Sequence, residues 1–123
     1  MYCALSSDLT KSYGTDIVIE DLQQACLWNQ TKDKSPKEWF DYIEASDELC
    51  PQEKIDRMCH SMALKKTNIS VIENDQCVSA TFESNGKLPY VSDDNSVLAD
   101  HLAAWKEFGS YTFPAIAING VKF

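Results

Sequence analysis

No two of the five cysteines form a C-x-x-C pair, which excludes the usual dithiol redox motif and the zinc ribbon. Histidine is scarce as well. His60 and His101 lie far apart with no ligand spacing around them. His60 adjoins Cys59, but neighbours on a helix point about 100° apart and do not readily share a metal. Neither a metal site nor a cofactor is expected. Glycine and proline number only 4 each, while 44% of the 123 residues are hydrophobic, a balance that excludes a disordered chain. No run of about 18 uncharged apolar residues occurs, so this segment is not expected to cross or contact a membrane. Met1 to Asp8 has neither a basic n-region nor an apolar h-region and does not read as a signal peptide. A segment cut from a larger protein would look the same. Basic residues are few: 11 Lys and Arg stand against 19 Asp and Glu, for a net charge of −8. Such a chain repels a phosphate polymer, so nucleic acid is not an expected partner. The acidic residues are scattered and read as solvated surface.

What is present points to an oxidising compartment. Cys3, Cys26, Cys50, Cys59 and Cys77 accompany two N-x-[ST] sequons, at Asn29 and Asn68, and the combination favours the secretory pathway. An odd count leaves one thiol free or paired outside the segment, and Cys3, isolated near the terminus, is the candidate. The other four allow three connectivities. Cys59 with Cys77 is favoured, since their segments would pack as an antiparallel hairpin, which leaves Cys26 with Cys50.

Apolar periodicity predicts a helix over 16–28, with Val18, Ile19, Leu22, Ala25 and Cys26 on its inner face. Ser35-Pro36-Lys37-Glu38 has the form of a capping box with proline at the first helical position. The helix it opens carries Trp39, Tyr42 and Ile43, broadened by Phe40, and ends near Cys50. A third helix is expected from Pro51, with Ile55, Met58, Cys59 and Met62 at i, i+3, i+4 and i+7. Thr67 or Asn68 is the expected cap of a fourth, running through Ile69, Ile72 and Cys77, and residues 78–82 read equally well as extended. Asn95 to Phe108 reads as a fifth, with Leu98, Leu102 and Trp105 on one face and Gly109 as its left-handed C-cap.

The chain closes on Phe113-Pro114-Ala115-Ile116-Ala117-Ile118-Asn119-Gly120. Residues 115–118 read as a buried strand, Asn119-Gly120 as a type I′ turn, and Pro114 as the site of a cis peptide. This order predicts one α/β domain over 1–123, with a helical insertion over about 16–83 and a helix plus hairpin over about 95–123. A lone hairpin is marginal, so further strands are expected to pair with it.

The Phe113–Gly120 stretch resembles the cis-proline strand and hairpin of thioredoxin-like proteins. Read in order, Tyr2-Cys3-Ala4, Leu22 to Cys26, Trp39 to Tyr42, Cys50 to Lys54, Cys59 and Cys77 resemble the central region of plant-type vacuolar sorting receptors. The Asn29 sequon also falls where those receptors often carry one. Cys50 to Cys59 is shorter than the plant spacing, and 87–95 differs, which implies a distant member. The resemblance implies a thioredoxin-like domain, here lacking its first strand and last helix, in the lumenal part of a single-pass receptor. Such receptors carry soluble cargo from the Golgi to a vacuole or lysosome-like compartment.

Three functions follow for consideration. The first is a non-catalytic domain of a cargo receptor, with Phe113 and Pro114 as candidate peptide-binding residues, because a cis-proline loop leaves backbone groups open to an extended peptide. The second is a lumenal thiol-disulfide oxidoreductase related to lysosomal thiol reductases, which needs a low-pKa thiolate beside a resolving partner. The third is a purely structural secreted domain. The first is preferred, with no catalytic residue expected.

Overall fold

In the computed structural model, which describes residues 14–50, 56–83, 94–109, 116–119 and 121–122, the longest apolar-periodic segment is helix α1, Gly14–Thr31. It outruns the expected 16–28 at both ends. At its C-terminus the Thr31 hydroxyl donates to the Leu27 carbonyl at 2.9 Å, satisfying one of the last-turn acceptors. α1 organises two cores. Val18, Ile19, Leu22 and Cys26 pack with Val78, Phe82 and Leu98, whereas Leu27 joins Tyr42, Ala45, Ala63 and Leu64.

Helix α2, Lys37–Leu49, opens at Pro36, whose φ of −60° and ψ of −22° are already helical. Tyr42 and Ala45 are buried, and Trp39 and Ile43 flank them, but Phe40 stays exposed instead of widening the stripe. Cys50 then turns extended, as a residue before proline prefers.

Helix α3, Arg57–Leu64, corrects the sequence reading in start and in face. It begins beyond Asp56, an extended residue whose carboxylate accepts from the Cys59 amide at 2.9 Å, so it does not run on from Pro51. Its inner residues are Cys59, His60, Ala63 and Leu64, while Met58 is 72% exposed and Met62 also faces outward. The cause is polar. A disulfide at Cys59 and a hydrogen bond at His60 turn the helix away from the thioethers. Ile55 lies outside the described residues.

Helix α4, Val71–Ala80, is capped by Ser70, not by Thr67 or Asn68. Thr67 is used in the preceding turn, donating to Leu64 O at 2.7 Å and accepting from Ile69 N at 3.2 Å. Ile72 is 69% exposed, and Asn74 and Val78 take the inner face.

Phe82 forms an antiparallel bridge with Asn95, which leads into helix α5, Ser96–Phe108. Gly109 ends it at φ 65°, ψ 35°, the left-handed conformation that suits glycine. Leu98 is buried, but Leu102, expected on the same apolar face, is largely exposed.

Asn95 ties α4 to α5. Its side chain accepts from Leu98 N at 3.1 Å and donates to Thr81 Oγ1 at 2.6 Å. Asn95→Ala removes a helix cap and the bond to the Thr81 hydroxyl, which keeps its own bond to Val78 O at 2.7 Å, and is expected to cost about 1–2 kcal/mol in urea unfolding. A change below a few tenths would show that the cap is replaced by water.

Strands β1 (Ala117–Ile118) and β2 (Val121–Lys122) pair antiparallel, Ala117 with Lys122 and Ile118 with Val121. Asn119 between them has φ 51°, a region asparagine tolerates. Of the segment 115–118, expected to be buried, Ile116 and Ile118 are exposed, because no further strand among the described residues covers them. Pro114 lies outside the described residues.

The disulfides also differ from expectation. Cys26 pairs with Cys77 and Cys50 with Cys59, at Cα separations of 5.9 and 5.6 Å. The cause is packing: α4 lies along α1 and α3 along α2, so α3 and α4 do not form the hairpin that would join Cys59 to Cys77.

Candidate functional site

One face of α1 remains open to solvent. Asp21, Gln24, Ala25, Trp28 and Asn29 recur at i, i+3, i+4, i+7 and i+8, so they stack along one stripe. Val97, Asp100 and His101 of α5 and Trp39 of α2 complete a groove of about 390 Å³. Ala25, expected in the core, thus lines the groove.

The aromatic surface is held in place. The Trp39 indole donates to the Gln24 carbonyl at 3.2 Å, and its ring meets Trp28 edge-on at 5.9 Å. Phe40 extends the surface with its ring 5.1 Å from Trp39. Trp28 nevertheless keeps 42% of its surface exposed, and a fixed, exposed aromatic patch of this kind is characteristic of a contact surface.

The polar surface is acidic. His101 Nδ1 lies 3.2 Å from Asp21 Oδ2, joining α5 to α1. Asp100 adds a second carboxylate, and among the described residues the lining holds no lysine or arginine.

Directly inside this stripe, Glu20 points the other way, into the joint of α1, α2 and α3. The Tyr42 hydroxyl donates to Glu20 Oε1 at 2.6 Å and lies 2.6 Å from His60 Nδ1. A phenol has one proton to give, and the carboxylate takes it, so His60 Nδ1–H donates to the phenolic oxygen. His60 Nδ1 also lies 3.4 Å from Glu20 Oε2. All three residues are buried, and His60 Nε2 finds no partner among the described residues. Burial pushes the Glu20 carboxyl up, but hydrogen bonds from His60, Tyr42 and Gln24 outweigh it and hold the group below its ordinary range. The Tyr42 hydroxyl is pushed up, by burial first and then by the Glu20 charge. This network fixes α2, and with it Trp39, against α1.

Of the residues singled out in the sequence, Asn29 falls in the groove and is exposed, and Asn68 is exposed in the turn before α4. The four described cysteines lie away from the groove, in the two disulfides. Cys3, Phe113 and Pro114 lie outside the described residues. The groove itself was not anticipated, nor was the Glu20–Tyr42–His60 network. Among the described residues no group of three or more His, Cys, Asp or Glu could hold a metal, and no helix is long and apolar enough to cross a membrane.

A family model described as the vacuolar sorting receptor thioredoxin-like domain matches residues 1–123. The chain is 27% identical over 134 residues to vacuolar-sorting receptor 1 of Pisum sativum, covering 99% of this chain and 20% of that protein. It therefore spans about a fifth of the length of the curated relative it matches. No solved structure matches the chain.

Proposed function

The chain belongs to the vacuolar sorting receptor thioredoxin-like domain family, and on that premise we propose that it is a non-catalytic lumenal domain of a vacuolar or lysosomal cargo-sorting receptor, supporting the binding of soluble cargo. The observation that carries this reading is a family match running the whole length of the chain. The cysteines support it. All four described ones are tied into bridges between packed helices, and Cys26, Cys50 and Cys59 are buried. Exchange chemistry needs an accessible thiolate with a resolving partner, and these positions suit structural bridges instead.

In this reading helices α1 to α4 belong to the helical insertion, over about 16–83, of a thioredoxin-like domain within 1–123, and α5 goes with the hairpin over about 95–123. Phe113 and Pro114 are retained as a peptide-contacting loop. Asn29 and Asn68 carry glycans in the lumen of the Golgi and prevacuolar compartments, Cys3 pairs outside this segment, and the parent protein is anchored in the membrane.

The test is retention on the immobilised, oxidised chain of synthetic peptides spanning the propeptides of soluble vacuolar hydrolases. Scrambled peptides and an insulin-reduction assay serve as controls. Saturable retention of the native peptides without reductase turnover is the expected result. Retention that ignores peptide sequence would remove the receptor reading, and turnover would replace it with the oxidoreductase.

A further inference from the structure

We infer that the groove between α1, α2 and α5 is a subsite for one basic side chain, arginine or lysine, presented by an extended peptide. The two ends of such a side chain need different surroundings. Its methylene stem seeks apolar surface, and its charged head seeks carboxylates and the face of an aromatic ring. The groove offers both. Ala25 and Val97 line it together with Trp28 and Trp39, and Asp21 and Asp100 bring negative charge to the same surface.

The alternatives fit less well. An acidic side chain would meet two carboxylates with no lysine or arginine in the lining to offset them. A purely apolar one would take water from both carboxylates and offer neither a new partner, at a desolvation cost. The aromatic wall is also pre-ordered: Trp39 is pinned by its bond to the Gln24 carbonyl, and Trp28 is braced edge-on against it. Binding therefore spends little on ordering the receptor side. The Asp21–His101 contact fixes one carboxylate at the α1–α5 seam.

The inference rests on the cargo-receptor reading only for the origin of the peptide. The subsite itself stands on the groove.

The probe is an acetylated, amidated glycine–arginine–glycine tripeptide, titrated into the oxidised chain while the three tryptophan indole N–H signals are followed by NMR. Its citrulline counterpart has nearly the same shape and no charge. Saturable shifts of Trp28 and Trp39, with Trp105 unmoved, are expected for arginine, and binding weaker by about fivefold or more for citrulline. Asp21→Asn with Asp100→Asn should weaken the arginine probe by a similar factor. Asp47→Asn with Glu48→Gln removes the same formal charge from a surface outside the groove and should leave binding unchanged. Equal response to citrulline, or equal loss in the control pair, would reduce the effect to bulk attraction by an acidic protein and overturn the subsite. Saturation by chitobiose in preference to the tripeptide would overturn it too, assigning the groove to the glycan of Asn29.

The cargo peptides distinguish the two readings. If they remain bound while the tripeptide does not bind, the subsite fails and the receptor stands. If the tripeptide binds and they do not, the subsite stands without that function.

Discussion

Replacing Cys26 and Cys77 together by alanine is expected to lower the stability of the oxidised chain by about 4 kcal/mol, against about 2.5 kcal/mol for the same replacement of Cys50 and Cys59. The asymmetry comes from the unfolded chain. One bridge spans 51 residues and the other 9, and the loop entropy denied to the unfolded state grows with the logarithm of that span. A domain of this size has about 5–15 kcal/mol in all, so the longer bridge accounts for much of the margin. It also locks α4 onto α1 at the level of Leu22 and Val78, the centre of the first core. Removing both sulfurs avoids a stray thiol and leaves only a small cavity at Cys26. The measurement is urea unfolding of the three oxidised proteins, with a non-reducing peptide map of the parent chain to identify both links. Equal losses for the two pairs would show that strain or packing, not loop closure, sets the value of these bridges. A map linking Cys59 to Cys77 would refute the helix packing itself.

The elements that could be read from the sequence were those whose signals are local. α5 was legible to within a residue, from Asn95 to its Gly109 end, because a left-handed glycine is decided within one turn. The inner face of α1 followed its apolar period. α3 misled because periodicity counts Met58 and Met62 as core and cannot see that His60 has a buried phenol waiting for it. The cap of α4 slipped by two or three residues for a related reason: Thr67, Asn68 and Ser70 are all competent caps, and only the turn chemistry of Thr67 separates them. Disulfide pairing depended on which helices lie side by side, a tertiary fact absent from spacing. The groove was hidden in the same way. Its α1 residues form a visible stripe, but Trp39 and His101 reach it from helices 15 and 80 residues away from their partners Gln24 and Asp21. Two tryptophans flanking a polar turn, near a helix stripe that keeps an aspartate, were the available signal.

Tyr42→Phe is expected to cost about 2–4 kcal/mol at neutral pH, because it takes the best donor from a buried carboxylate while leaving the charge in place. The ring still fills its site, so the loss belongs to the hydroxyl. Glu20 keeps only Gln24 Nε2, at 2.9 Å, and the longer approach of His60. The pH dependence identifies the cause. In the parent protein the Glu20 carboxyl is held below its ordinary value of 4.5. A depressed folded value means that its contribution is complete above the unfolded pKa and is lost as pH falls through the folded one. The parent should therefore shed this stability only below about pH 4.5, once Glu20 begins to protonate. In Tyr42→Phe a lowering bond is gone while burial still raises the group, so the folded pKa rises toward or past the unfolded one, the variant has less stability left to lose on acidification, and the two proteins converge in acid. Urea midpoints taken from about pH 3 to 7 would show this as a gap that narrows on the acid side, and Glu20→Gln should flatten the acid limb. A gap independent of pH would mean that the hydroxyl acts through packing alone. If the gap narrows as expected, the Glu20 carboxylate in the joint that fixes Trp39 against α1 keeps its charge at about pH 5–6, and mild acidification leaves that part of the network in place.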